Sequence, residues 1–174
     1  MDLPRELLGA PVEVGAVELP IPRPVLDGEL PGGGGTVVAD RSRAVVRVAG
    51  VGTFGILEGA HVRFDPEPGV PAGAVGIWLH GTVAALLLAQ RGSFALHAGV
   101  VEVDGQAVAL TGPRAAGKST TALRLTQRGH ALVTDDVTPL DGGPPVTVHP
   151  FARSVRVAPA TARSLGLDLT GARE

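Results

Sequence analysis

Lys118 is the only lysine in a chain of 174 residues that carries fourteen arginines. It sits in Gly112-Pro113-Arg114-Ala115-Ala116-Gly117-Lys118-Ser119, which fits G-x-x-x-x-G-K-[ST]. In such a loop successive backbone N–H groups converge on phosphate oxygens, and the helix that follows aims the positive end of its dipole at them. A compact ammonium acts on the β- and γ-phosphates as a point charge, which arginine's bulkier planar fork does not reproduce. Gly112 permits the tight exit from a strand, and Gly117 lets the backbone come close to phosphate. Ser119, with Thr120 beside it, offers a hydroxyl to Mg2+, a hard cation that takes oxygen ligands. Nucleotide phosphate is the ligand this pattern implies. The bland alternative is an incidental glycine-rich turn between strand and helix. Ala115 and Ala116 replace residues that are often glycine, and Arg114 stands where a small residue is usual, so a tighter loop or weaker affinity is expected.

Asp135-Asp136 follows about one β-α-β step beyond the lysine. An acidic residue at the end of a neighbouring strand holds Mg2+ in P-loop enzymes. Adjacent carboxylates on an extended segment project to opposite sides, so one faces a metal and the other a substrate hydroxyl, as a general base would. A surface turn or helix cap is the competing reading. His97 ends the strand antiparallel to the one entering the loop. If the hairpin closes at Asp104-Gly105, Thr111 pairs close to Gly99 and Ala98, and His97 falls beside the phosphates, where it could polarise a carboxylate. A satisfied core histidine is the alternative. Arg153 and Arg156 read either as phosphoryl or acidic-substrate ligands or, more simply, as solvated arginines on a sheet edge. The remaining histidines show no ligand spacing.

The elements that must position these groups are legible as local patterns. Residues 1–35 are rich in Pro and Gly and imply extended or flexible chain. Short β-type runs follow at Thr36–Ala39, Ala44–Val48, Thr53–Leu57 and His61–Phe64, a small antiparallel module. Ile77 to Gln90 reads as a buried helix, with Leu79, Val83, Leu86 and Leu87 on one face. Phe94–His97 comes next, then a hairpin of Gly99–Val103 and Gln106–Thr111 about Asp104-Gly105. A helix over Ser119 to Arg128, a strand at Ala131–Thr134, strands at Val146–Val148 and Ser154–Val157, and a helix at Ala158–Leu165 complete the series.

Composition narrows the function classes. A formal net charge of −2 gives no electrostatic reason for a nucleic-acid or membrane partner. There is no cysteine, hence no disulfide and no thiol chemistry. The N-terminus lacks the pattern of a signal peptide, and the apolar run Val83 to Ala89 is too short to span a bilayer, so a cytoplasmic location is expected.

Taken together, Leu96-His97-Ala98-Gly99-Val100-Val101, the loop Gly112–Thr120, Arg128-Gly129-His130 and Leu132-Val133-Thr134-Asp135-Asp136-Val137 resemble the catalytic domain of HPr kinase/phosphorylase. They are closer still to the HPr-kinase-like P-loop proteins of peptide-natural-product clusters, and the resemblance covers about Ile77 to Leu167. It implies an α/β fold, a P-loop domain of mixed sheet with helices at 71–174, preceded at 1–70 by an extended segment and the β module. It implies ATP and Mg2+ as cofactors, with Gly112, Pro113, Arg114, Ala115, Ala116, Gly117, Lys118, Ser119 and Thr120 around the nucleotide. Ser119 and Asp135 then hold the metal, and Asp135, Asp136 and His97 are catalytic. The expected reaction is transfer of phosphate to a Ser or Thr hydroxyl of a protein or peptide, in an assembly of several copies. A later segment tied to protein-substrate recognition has no counterpart here, so the domain reads as short at its C-terminus and phosphorylase activity is not implied. A non-catalytic nucleotide-binding or assembly module and a small-molecule kinase are the alternatives.

Overall fold

The computed structural model describes residues 4–31, 33–113, 115–151, 155, 157 and 159–167. It divides into two compact units, Met1–Ser93 and Phe94–Glu174. Strands and helices occur in both, as the α/β class requires.

Seven strands make the sheet of the first unit: β1 Glu6–Leu7, β2 Ala10–Val14, β3 Leu26–Glu29, β4 Gly35–Ala39, β5 Arg43–Val48, β6 Gly52–Leu57 and β7 His61–Pro66. Their order is β1-β2-β7-β6-β5-β4-β3. The last four in sequence match the expected β-type runs. The structure differs in two respects. Three further strands lie in the Pro- and Gly-rich region expected to be extended or flexible, and β2 runs parallel to β7, so the sheet is mixed. Pro11 inside β2 and Gly28 inside β3 are residues that argue against a strand locally, and sheet pairing overrides them.

Alternation decides which face is core. Ala44, Val46, Phe54, Ile56, Val62 and Phe64 are fully buried on one face, whereas Arg47, His61, Arg63 and Asp65 are exposed on the other. The Phe54 and Phe64 rings stack with centroids 4.4 Å apart. On the opposite face Gly55 leaves room for a neighbouring side chain. A Cβ there would stand 2.8 Å from Val17 Cγ1, so the segment after β2 crosses β6 over the bare backbone.

A helical stretch follows: α1 Ala72–Trp78, a π-helical turn Leu79–Val83 and α2 Ala84–Gln90. Gly81, at φ −100° and ψ −106°, breaks its regularity. Val75, Leu79, Val83 and Leu87 recur every four residues and are fully buried, joined by Ala84 and Leu88. Leu86, expected on this face, is only half-buried. Gln90 and Arg91 fasten the C-terminal end to the sheet. Gly59 N–H donates to Gln90 Oε1 at 2.8 Å, and Arg91 Nε donates to the Gly59 carbonyl at 2.6 Å. The whole of Ala72–Gln90, 19 residues of mean hydropathy 1.7, is by length and composition alone enough to cross a bilayer. That corrects the expectation drawn from Val83 to Ala89, since neutral Gly and Ala extend the apolar run. One face of this helix is buried, and Gln90 and Arg91 tie its end to Gly59. The division between the compact units falls after this helix.

The β4–β5 turn carries a pH-dependent contact. Asp40 accepts from the Ser42 and Arg43 N–H groups and pairs with the Arg43 guanidinium at 2.8 Å. The Ser42 N–H above all, then the bonds and charge of Arg43, hold its carboxyl below the ordinary value of 3.8. A depressed folded-state pKa gives stability that is fully present above 3.8 and is lost as pH falls through the folded value. Asp40→Ala should therefore lower Tm at neutral pH, and the gap from the unaltered chain should close on acidification. A gap independent of pH in thermal melts would exclude this account.

The second unit contains β8 Phe94–His97, β9 Gly99–Val103, β10 Gln106–Leu110, α3 Lys118–Gln127, β11 Ala131–Thr134, β12 Val137–Asp141, β13 Thr147–Val148 and α4 Pro159–Ser164. Two sheets result, ordered β10-β9-β11 and β13-β12-β8. The hairpin closes as expected: Asp104 and Gly105 take φ of 50° and 75°, the paired positive values of a two-residue turn. β12 was not expected. Pro139 interrupts the pattern of its sequence, yet β12 pairs with both β8 and β13. β9 is the central strand of its sheet, with Val100 and Val101 both fully buried, and α3 packs against it. Of the expected strand at residues 154–157, only residues 155 and 157 are described; Arg153 and Arg156 lie outside the described residues.

Candidate active site

The two sheets of the second unit meet at one seam. β8 passes into β9 through Ala98, and β11 passes into β12 through Asp135-Asp136, so both chains change sheet at the same level. Ala98 N–H donates to the Asp136 carbonyl at 3.2 Å and joins the two crossings. The seam brings the sequence-predicted histidine and acidic pair together.

The glycine-rich loop joins β10 to α3. Gly112 has φ 147° and Gly117, the residue before α3, has φ 86°, values that a side chain would oppose. Ala115 adopts φ 65°. Ala116 N–H donates to the Pro113 carbonyl at 3.2 Å, which curls the loop. Arg114 lies outside the described residues. α3 opens with Lys118, Ser119 and Thr120, all partly buried, and no side chain caps it. The N–H groups of a helix's first turn have no intrahelical partner and carry its positive dipole end. Lys118 Nζ turns back over the loop, donating to the Gly112 carbonyl at 2.9 Å and the Pro113 carbonyl at 3.2 Å. The one ammonium is thus held above the loop's own backbone.

Asp135 is 6% exposed and Ser119 Oγ lies 3.4 and 3.3 Å from its two carboxylate oxygens. Gly99 leaves room for it, since a Cβ there would sit 3.0 Å from Asp135 Oδ1. Asp136 turns the other way. His97 Nδ1 is 3.0 Å from Asp136 Oδ1 and 3.1 Å from the Asp136 carbonyl. Both partners are acceptors, so Nδ1 carries a hydrogen. The two carboxylates diverge as expected, but not because the segment is extended. Asp136 has φ 72°, and Val137 N–H donates to the Asp135 carbonyl at 3.0 Å, a three-residue turn.

The donors at this end are hard oxygens, a hydroxyl and a buried carboxylate. They fit Mg2+, which keeps several waters and takes few protein ligands. No cluster of three metal-ligating side chains occurs among the described residues. Two surface cavities, of about 600 and 370 Å3, are lined by first-unit residues only; neither includes the loop. Two residues escaped the sequence reading, Thr134 and Thr138, both fully buried and both donating to carbonyls at the seam. No spacing rule flags them, because threonine is an ordinary strand residue.

Fold and site thus define an α/β unit in which a glycine-rich strand–loop–helix faces a buried acidic turn. Residues 88–149 match the HPr Serine kinase C-terminal domain. Over 49 residues the chain is 53% identical to the HPr kinase/phosphorylase of Lactobacillus acidophilus, which is 28% of this chain and 15% of that protein. It is 54% identical over 41 residues to the one from Clostridium beijerinckii, covering 24% and 14% of the two chains. For the one from Treponema pallidum the figures are 49% over 45 residues, 26% and 14%. The matched segment thus spans about one-seventh of each relative's length, and it is over this segment that the chain is similar to them. No solved structure matches.

Proposed function

We propose that the second unit is an ATP- and Mg2+-dependent P-loop kinase of the HPr-kinase-like type, acting on a Ser or Thr hydroxyl of a protein or peptide. The observation that carries the reading is the division of labour at the acidic turn: Asp135 beside Ser119 at the start of α3, Asp136 beside His97. Lys118 and the loop N–H groups bind the β- and γ-phosphates. Ser119 and Asp135 would hold Mg2+, which when bound neutralises phosphate charge. Asp136 accepts the proton of the acceptor hydroxyl as its oxygen bonds to the γ-phosphorus and the bond to the β-phosphate oxygen breaks, leaving ADP. His97 holds the Asp136 carboxylate in place. Catalysis is then chiefly positioning and charge stabilisation. A cytoplasmic location and assembly of several copies go with this reading.

Mass spectrometry of candidate acceptor proteins and peptides after incubation with ATP and Mg2+ tests it. One added phosphate on a Ser or Thr is the expected result. The rival reading is a nucleotide-binding module without transfer. Tight nucleotide binding with no modified acceptor, and no phosphate release, would select that rival.

A further inference from the structure

Thr134, Asp135 and Thr138 are the buried polar side chains among the described residues, and all three belong to the acidic turn. A buried hydroxyl is unfavourable unless it finds a partner, whereas valine would fill the same volume without that demand. These two threonines do find partners. Thr134 Oγ1 donates to the Val137 carbonyl at 3.0 Å, and Thr138 Oγ1 donates to the Ala98 carbonyl at 3.0 Å. The first bond runs from the last residue of β11 to the first of β12 and so spans both aspartates. The second ties β12 to the chain just after His97.

The turn needs such a clip. Asp136 is a non-glycine residue at φ 72°, a conformation that persists only where surrounding contacts over-determine it. Its i→i+2 bond, from Val137 N–H to the Asp135 carbonyl, closes a tight ring that relaxes readily when unsupported. We propose that Thr134 is a positioning residue for the acidic pair, its hydroxyl holding the turn that directs Asp135 to Ser119 and Asp136 to His97. For its effect on turnover this rests on the kinase reading above; for the geometry it does not.

Thr134→Val keeps the shape and deletes the donor, and Thr134→Ser keeps the donor. In the full chain, NMR-detected exchange of the Val137 amide should quicken about tenfold in Thr134→Val and match the unaltered protein in Thr134→Ser. Turnover should fall about tenfold in the valine variant while ATP binding holds, and serine should restore it. Unchanged Val137 exchange in Thr134→Val would overturn the proposal. Should that variant not fold, exchange in Thr134→Ser faster than in the unaltered chain would overturn it equally, since the methyl would then be the operative group. An unaltered protein without transfer to any acceptor refutes the kinase reading instead, and the exchange data still decide the clip.

Discussion

Lys118→Ala is expected to remove measurable ATP binding and to lower phosphoryl transfer by about a thousandfold. The loop can present backbone N–H groups to phosphate without this side chain, but no other lysine exists in the chain to supply the charge. Its ammonium already sits over the loop, within 2.9 Å of the Gly112 carbonyl, so little reorganisation separates it from a phosphate placed there. The side chain is not buried, and its partners are loop carbonyls that water can satisfy, so Tm should hardly move. Lys118→Arg is the sharper version. It keeps the formal charge, yet the guanidinium is a planar fork that cannot fold under the phosphate as a point charge, and most of the loss should remain. Titration calorimetry with ATP and Mg2+ reads the result. Binding within threefold of the unaltered chain in Lys118→Ala would remove the lysine, and with it the nucleotide reading, from the site.

The parts of this site that could be foreseen are those fixed by local chemistry. The loop is announced by glycines that must take positive φ, and Gly112 and Gly117 do so. The hairpin is announced by Asp104-Gly105, and its register sets Gly99 opposite Leu110, which brings the start of β9 to the mouth of the loop. What could not be foreseen depends on tertiary pairing. β12 contains a proline and declares itself only through partners on both sides. β1, β2 and β3 lie in sequence that reads as loop; β2 is ordered by the distant β7, and β1 and β3 by pairing with β2 and β4 in turn. The divergence of Asp135 and Asp136 was expected from strand alternation and is achieved by a positive-φ turn instead. Alternation is a property of extended backbone, and nothing in two adjacent aspartates reports that the backbone between them reverses.

Under the proposed reading that turn gives the two carboxylates separable roles, and paired variants should expose them. Asp135→Asn removes the negative charge at an almost fully buried position whose partner is the Ser119 hydroxyl. If Asp135 and Ser119 hold the metal, this variant should raise the Mg2+ concentration needed for half-maximal activity by about tenfold or more, and excess Mg2+ should recover part of the rate. Asp136→Asn differs in kind. Its carboxylate faces His97, away from Ser119, so ATP and Mg2+ binding should persist while turnover drops by about a hundredfold or more, with no recovery at high Mg2+. The amide retains an oxygen for His97 Nδ1–H, so the turn itself should survive and Tm should stay close to that of the unaltered chain. Steady-state rates measured across a Mg2+ series distinguish the two. Full-rate transfer by Asp136→Asn would strip the general-base role from that residue. A Mg2+ requirement altered equally in both variants would mean that the pair acts on the metal together, and the division of labour drawn from the Ser119 and His97 contacts would be wrong.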